Sequence, residues 1–161
     1  MEHTDLIADF AWRTLQNLDH VQEQERLGDE GVYPVTQLWN SLLGLIVLPR
    51  ERDMRRIPRT PMTELWSQGW PRLTAAGPEH RSLRDLVSDL RRAVAHFNVE
   101  FIAGSGREIT SVTMWTQNSD SDGRPIQGSR RWEGRITVEE LDRLARLIAN
   151  LYVENFASTA A

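Results

Sequence analysis

Apolar residues recur at helical spacing in four stretches of the chain, which predicts four main helices. The first three cover approximately residues 4–26, 35–48 and 82–101, and the last opens at Thr137. The second stretch is apolar nearly all round, so we expect it to be central and buried. It ends before Pro49, which favours a helix end at that point.

Capping-box residues mark the start of the last two predicted helices. Ser82 and Asp85 are three positions apart, as are Thr137 and Glu140. Side chains at this spacing can satisfy the free backbone groups of a first helical turn. The third helix is therefore predicted to begin at Ser82 and to run to about Phe101.

Between the third and last helices the pattern changes from helical spacing to alternation. Residues 107–116 are rich in β-branched side chains, and residues 131–136 resemble a return strand. The polar loop between them contains Asp122-Gly123, a common turn signal, so a hairpin is predicted.

Residues 49–80 contain five of the seven prolines and are predicted to be a long connection with one helical turn near 63–68. Only one core is expected for a chain of 161 residues. The predicted fold class is mainly α. It is a single domain over residues 1–161, a bundle of four main helices with a β-hairpin after the third.

Composition excludes several kinds of site. There is no cysteine, so disulfides, thiolate metal sites and cysteine nucleophiles are ruled out. His3, His20 and His80 have no partner at metal-ligand spacing, so neither a metal nor a cofactor is predicted. We expect a cytoplasmic protein, because cysteine is absent and the acidic N-terminus does not resemble a signal peptide. No membrane partner is predicted, since the longest apolar run, residues 42–48, is too short to cross a bilayer.

All 19 basic residues are arginine, although the net charge is −4. That net charge does not suit a protein that coats nucleic acid non-specifically. The arginine bias has two explanations, codon usage or a preference for bidentate phosphate contacts. Residues 50–59 contain five arginines and two acids, and this run is either a solvated loop or a path for an RNA backbone.

Arg91 and His96 lie on the third predicted helix, outside its apolar face. On a helical wheel, Arg91 lies about 85° to one side of the centre of that face and His96 about 135° to the other. Ala95 and Val99 lie between them on the outward side. These two are either isolated surface residues or a contact strip for the same helix of a second copy. The residues that form the apolar face are Leu83, Leu86, Val87, Leu90, Val94, Phe97 and Phe101.

The segment Leu90 to Phe101, LRRAVAHFNVEF, resembles the signature of HEPN domains. That signature is an arginine, a usually polar residue, three more residues and a histidine, near the end of a core helix. Arg91 and His96 match it, and Ala95 before the histidine is also typical. The segment is similar to the His-Phe-Asn-Ile/Val-Glu-Phe continuation of a plasmid-borne HEPN subfamily. The helical layout extends the similarity more loosely over most of the chain.

The resemblance implies a helical bundle that dimerises so that the motif helices meet. Many HEPN proteins cleave RNA without a metal and act as toxins, antiphage effectors or RNA-processing enzymes. Arg91 and His96 would then be catalytic. Arg92, Asn98 and Glu100 would support the site or bind RNA.

Position 92 departs from the family pattern, which usually has Asn, Asp or His there. Arg92 could contact a second phosphate, or it could only form an ion pair with Asp85 or Asp89. Residue 98 is Asn rather than the tyrosine that a nucleotidyltransferase modifies in one HEPN branch. That mode of control is therefore not expected.

Histidine and arginine suit metal-independent RNA cleavage, in which the 2′-hydroxyl attacks the adjacent phosphate and leaves a 2′,3′-cyclic phosphate. A homodimer would supply two histidines. One alternative is an inactive HEPN-like dimeric adaptor that binds RNA, a nucleotide or a partner protein such as an antitoxin. Another is a helical interaction module in which His96 is an ordinary surface residue. Trp115 or Trp132 on the hairpin could stack with bases or anchor the fold.

Overall fold

The structure is a computed structural model that describes residues 5–49, 51–106 and 108–157. The described residues form six α-helices and four β-strands, and about half of them are helical. In chain order the elements are α1 (Leu6–Arg26), α2 (Pro34–Val47), α3 (Glu51–Met54), α4 (Met62–Ser67), β1 (Thr74–Ala76), α5 (Leu83–Ala95), β2 (Val99–Ala103), β3 (Ile109–Thr116), β4 (Trp132–Thr137) and α6 (Val138–Ala157). None of the helices in these ranges is long and apolar enough to cross a membrane.

The strong helical content agrees with the predicted class, but the layout of four helices and an isolated hairpin is not what the structure shows. The four strands form one antiparallel sheet in the order β1-β4-β3-β2. The predicted hairpin is the centre of this sheet, where β3 pairs with β4 from Ser111↔Thr137 to Thr116↔Trp132. The two outer strands, β1 and β2, are not predicted by the sequence pattern.

Both predicted capping boxes are present. The Asp85 carboxylate accepts from the Ser82 amide at 3.1 Å, and the Ser82 hydroxyl accepts from the Asp85 amide at 3.4 Å. The Glu140 carboxylate accepts from the Thr137 amide at 3.1 Å, and the Thr137 hydroxyl accepts in return at 3.2 Å. These reciprocal bonds begin α5 and α6 where the spacing predicts.

The third predicted helix is too long, and its extension to Phe101 is wrong. Helix α5 ends at Ala95, and residues 99–103 form β2 instead. Phe97 and Phe101, which the helical wheel places on the core face, are 90% and 44% exposed. The error arises because Phe97 and Phe101 fit helical spacing while Val99, Phe101 and Ala103 fit strand spacing, and periodicity over so short a run does not separate the two.

The chain divides into two compact units. Unit 1 consists of Met1–Ile57 and Leu141–Ala161, and unit 2 consists of Pro58–Glu140. Unit 1 contains α1, α2, α3 and most of α6, whereas unit 2 contains α4, α5 and the sheet. The single domain over residues 1–161 remains a prediction.

Within unit 1, Gly44 allows α1 and α2 to approach each other closely. A Cβ atom at this position would lie 2.9 Å from Cε1 of Phe10. The neighbouring side chains of α2 are fully buried, as its apolar sequence predicts. They are Leu42, Leu45 and Ile46.

Arg56, one of the arginines in residues 50–59, is anchored within unit 1. Its Nη1 donates to Oδ2 of Asp5 at 2.7 Å, and its Nη2 donates to the carbonyl of Phe156 at 3.3 Å. Its guanidinium also lies 3.9 Å from the centre of the Phe156 ring. Arg56 therefore belongs to the packing of the unit rather than to a solvated loop, while Arg50 lies outside the described residues.

Candidate functional site

In unit 2, Arg91 lies in the C-terminal half of α5, and His96 directly follows the last residue of this helix. Arg91 is half-buried in the helix, and His96 is the exposed C-cap residue, whose amide donates to the carbonyl of Arg92 at 3.2 Å. Five residues of helix separate the two side chains by about 140° of rotation and about 7.5 Å along the axis. One copy of the chain therefore turns them to different sides of α5, and neither belongs to the fully buried core.

The chain leaves α5 through a tight turn at Phe97. The Phe97 amide donates to the carbonyl of Val94 at 3.0 Å, and the Asn98 amide donates to the carbonyl of Ala93 at 2.9 Å. These two bonds form a Schellman motif, in which the residue after the cap adopts the left-handed conformation. Phe97 has φ 53° accordingly, so the backbone reverses immediately after His96.

The other proposed site residues lie beyond this turn. The carbonyl of Asn98 accepts from the amide of Trp115 at 3.1 Å, which fixes Asn98 to β3. Glu100 is exposed in β2 opposite Thr113. Asn98 and Glu100 thus lie two and four residues after His96, beyond the chain reversal.

The predicted contact strip of Ala95 and Val99 is not a helical strip. Ala95 is the last residue of α5 and is exposed, whereas Val99 begins β2 and is half-buried. The chain reversal at Phe97 places them on different elements. A contact through the end of α5 would therefore include Ala95, but Val99 would not lie beside it on the helix.

Arg92 lies one turn before His96 on the same side of α5. Its Nη1 is 3.8 Å from Oδ1 of Asp89, and its side chain is 57% exposed. Of the two predicted acidic partners, Asp89 is the one used, since Asp85 caps the helix. Exposure leaves the Arg92 guanidinium accessible to a phosphate on the side of α5 where His96 lies.

Asp89 is the buried centre of a cluster of ionisable side chains that sequence reasoning missed. Its Oδ2 lies 3.1 Å from Nε2 of His80, and its Oδ1 accepts from Nη2 of Arg131. The side chains of His80 and Asp89 are only 6% and 11% exposed. A buried carboxylate is stable only with such partners. Within unit 2 these contacts connect α5 to Arg131, the residue before β4, and to His80, which lies in the segment before α5.

The cluster is not predictable from the spacing of its residues along the sequence. His80 and Asp89 are nine residues apart, and Asp89 and Arg131 are 42 apart. The available signal was the position of Asp89, which has the apolar residues Leu86 and Ala93 at helical spacing on either side. A charge at such a position needs a partner, but the sequence does not identify it.

The two hairpin tryptophans have different surroundings. Trp132 is 1% exposed, donates through Nε1 to Oγ1 of Thr74 at 3.1 Å and contacts the edge of His80. The suggestion that Trp132 stacks with bases is therefore wrong, and it anchors the fold. Trp115 is half-buried, with the guanidinium of Arg130 4.2 Å from the centre of its ring.

Metal-ligating side chains do not gather in the part of the chain that the structure describes, where no group of three or more His, Asp or Glu residues could hold an ion. His20 is exposed on α1 in unit 1, and His80 is engaged with Asp89. His3 lies outside the described residues. The end of α5 presents an exposed imidazole and an exposed guanidinium, which are side-chain types that suit proton transfer and phosphate binding.

A family model described as HEPN pEK499 p136 matches residues 1–159. The match includes the whole of unit 2 and the segment from Leu90 to Phe101 that resembles the HEPN signature. No match was found among curated proteins or among solved structures.

Proposed function

The chain belongs to the HEPN pEK499 p136 family, and on this basis we propose that it is a metal-independent endoribonuclease that acts in the cytoplasm as a toxin or antiphage effector. Arg91 and His96 are the proposed catalytic residues. The observation that carries the proposal is the position of His96, which is exposed at the C-terminal end of α5 one turn after the exposed Arg92. A proton-transfer group and a phosphate-binding group thus share one accessible surface.

The proposed reaction breaks the bond between phosphorus and the 5′-oxygen of the following nucleotide. The 2′-hydroxyl loses its proton to a base and attacks the adjacent phosphorus, and the departing 5′-oxygen receives a proton from an acid. Histidine suits both transfers. Arg91 stabilises the negative charge that builds up on the phosphoryl oxygens, because a guanidinium forms paired, charge-assisted hydrogen bonds. The products are a 2′,3′-cyclic phosphate and a 5′-hydroxyl.

The proposal includes a homodimer in which the ends of two α5 helices meet. Arg91 and His96 of one copy point about 140° apart, so they do not converge on one phosphate unaided. A two-fold arrangement would bring the His96 of each copy towards the Arg91 of the other. The two histidines could then divide the acid and base roles, with Asn98 or Glu100 orienting a ring or a ribose and Arg92 supporting RNA binding.

The dimer is tested by placing a charge on the exposed Ala95 at the end of α5. Ala95→Glu is expected to halve the mass measured by sedimentation, because two like charges would meet at the two-fold axis. Gln16→Glu makes the same charge change on the exposed surface of α1 and should leave the mass unchanged. A wild-type protein that is monomeric at all concentrations would contradict the proposed dimer.

The reaction class is tested by the ends that the wild-type protein leaves on RNA. We expect cleavage at the same rate in EDTA and in Mg²⁺, with 2′,3′-cyclic phosphate and 5′-hydroxyl ends. Cleavage that requires Mg²⁺, or that leaves 5′-phosphate ends, would point to a different mechanism.

An inactive dimeric adaptor is the second candidate, and Arg92 is the observation that favours it. The family usually has Asn, Asp or His at this position, whereas Arg92 of this chain pairs with Asp89 at 3.8 Å. An adaptor would bind RNA, a nucleotide or a partner such as an antitoxin without using His96 as an acid or base. RNA binding that weakens with salt, with no cleavage of any RNA tested, would support this candidate.

A further inference from the structure

Phe97, the residue after His96, is held in an unusual position. It is the one non-glycine residue with a positive φ in the described ranges, at 53°, and its side chain is 90% exposed. Glycine is the usual residue at this position of a Schellman motif, because a Cβ atom disfavours the left-handed conformation. The chain therefore accepts both backbone strain and the exposure of a large apolar ring at one residue.

The surrounding hydrogen bonds keep the ring outside unit 2. The amides of Phe97 and Asn98 are bonded back to the last turn of α5, and the carbonyl of Asn98 is bonded to Trp115 of β3 at 3.1 Å. The backbone on both sides of the ring is thus fixed to a helix and to a strand. With 90% of its surface exposed, the ring adds almost nothing to the core. Strain of this kind persists where the surrounding structure fixes it, and it is concentrated at functional sites.

The neighbours of the ring indicate what it binds. His96 precedes it, and the exposed Arg92 lies one turn before His96. Asn98 follows it, and the exposed Glu100 lies beyond. A protein interface would normally surround an exposed aromatic residue with further large apolar side chains, whereas the residues on either side of Phe97 are His96 and Asn98. Polar and cationic neighbours instead suit a nucleotide, with the base on the ring and the phosphate on the charged groups.

We infer that Phe97 is a nucleobase-stacking residue that binds an unpaired base of single-stranded RNA beside the phosphate held by His96 and Arg92. The inference rests on the proposed ribonuclease function and extends it to the class of substrate. Because the bases of a duplex are stacked on each other, the ring can accept only a base that is unpaired. Single-stranded segments should therefore be bound and cut in preference to duplex RNA, with little dependence on base identity, since every base has a flat face.

The test uses Phe97→Gly, which is expected to stabilise the fold and, at the same time, to weaken RNA binding. Phe97→Gly removes the ring and relieves the left-handed strain, so we expect the Tm to rise by about 2–4 °C. The Kd for a fluorescently labelled, unstructured RNA oligonucleotide should rise by about 5- to 150-fold. The titration is done by fluorescence anisotropy on full-length protein. His96→Ala is present in every variant so that the RNA is not cut, and the protein that carries this change alone is the parent.

Two further variants separate stacking from other effects. Phe97→Trp keeps a flat ring and should keep the Kd of the parent. Phe101→Leu changes the other exposed phenylalanine, which lies in β2, and should leave the Kd unchanged.

Four results would overturn the inference, and they differ in what else they affect. If the parent binds RNA and Phe97→Gly binds it equally well, Phe97 is not a stacking residue, although the proposed function stands. If Phe97→Gly lowers the Tm, the ring is a packing residue. If it reduces the mass of a dimer without changing the Kd, the ring is a protein contact. If the parent binds no RNA and the wild-type protein neither binds nor cuts RNA, the inference and the proposed function fall together.

Discussion

Oδ2 of Asp89 lies 3.1 Å from Nε2 of His80, and both side chains are almost completely buried. The other carboxylate oxygen accepts from Arg131. Each oxygen of the buried carboxylate is thus matched to a side chain outside α5. These contacts fix the helix within unit 2 two residues before Arg91, where the proposed site begins.

Asp89→Asn is expected to lower the free energy of unfolding by about 1–3 kcal/mol, because the buried amide cannot accept on both sides as the carboxylate does and leaves a contact with His80 or Arg131 unsatisfied. Urea unfolding measures the change. Asp9→Asn is the control: Asp9 pairs with Arg13 at 3.0 Å, but the Arg13 side chain is 70% exposed, so a loss below about 1 kcal/mol is expected. Equal losses in the two variants would show that the buried Asp89 carboxylate stabilises the fold no more than an exposed ion pair does.

A pH-dependent contribution is expected from Asp5, the N-cap residue of α1. Burial raises the pKa of Asp5, but the hydrogen bond from Arg56, the amides of Ile7 and Ala8 and the charge of Arg56 together lower the pKa below its ordinary value of 3.8. The folded state therefore favours the charged carboxylate. Its stabilising contribution is complete above the unfolded-state pKa and is lost as the pH falls through the lower, folded-state pKa.

Asp5→Asn keeps a capping side chain and removes the charge, so it isolates this contribution. The difference in free energy of unfolding between wild type and Asp5→Asn should be largest near pH 7 and should shrink in acid, below the pH range of an ordinary aspartate. Urea unfolding at several pH values measures it. A difference that does not change with pH would contradict the role assigned to the Asp5–Arg56 pair.

Gly44→Ala is expected to destabilise the protein although alanine is the better helix former. Helix propensity alone would give a gain of about 1 kcal/mol. The new methyl group would meet the ring of Phe10, which already lies 2.9 Å from the Cβ position at its Cε1 atom, and overpacking costs about 1–3 kcal/mol. Phe10→Leu in the Gly44→Ala background should recover part of the loss. A net gain from Gly44→Ala alone would show that the Phe10 ring moves aside at little cost.

Arg92 is expected to contribute one phosphate contact. Arg92→Gln should lower the affinity for single-stranded RNA and reduce the slope of log K against log salt by about 0.7. Arg13→Gln removes an exposed arginine from α1 and should leave the slope unchanged. If both variants change the slope equally, RNA binding depends on general charge rather than on the end of α5.

Local signals in the sequence were sufficient for part of the fold. Thr137 and Glu140 predict the start of α6 because a capping box depends only on residues three positions apart. The β3–β4 pairing is likewise predicted from alternation on both sides of a turn at Asp122-Gly123. The outer strands are different, since β2 is defined by its pairing with β3, from Val99↔Met114 to Ala103↔Ile109. That pairing competes with continued helix and is not visible in the local pattern.

The candidate site was also predictable only in part from the local sequence. The spacing of Arg91 and His96 and their distance from the core face follow from the sequence, because both lie on or directly after α5. The sequence places His96 inside a helix, whereas the structure makes it a C-cap residue before a chain reversal. The partners of Asp89 come from distant segments, so only the folded chain brings them together.

The most direct test of the account is the rate of RNA cleavage in EDTA by His96→Ala and by His20→Ala. Both variants remove one exposed histidine, but only His96 lies at the end of α5. If His96 transfers protons in the reaction, His96→Ala should cut about 10²- to 10⁴-fold more slowly than wild type, while His20→Ala should cut at the wild-type rate. A His96→Ala protein that is folded and cuts RNA as fast as His20→Ala would contradict the proposed site.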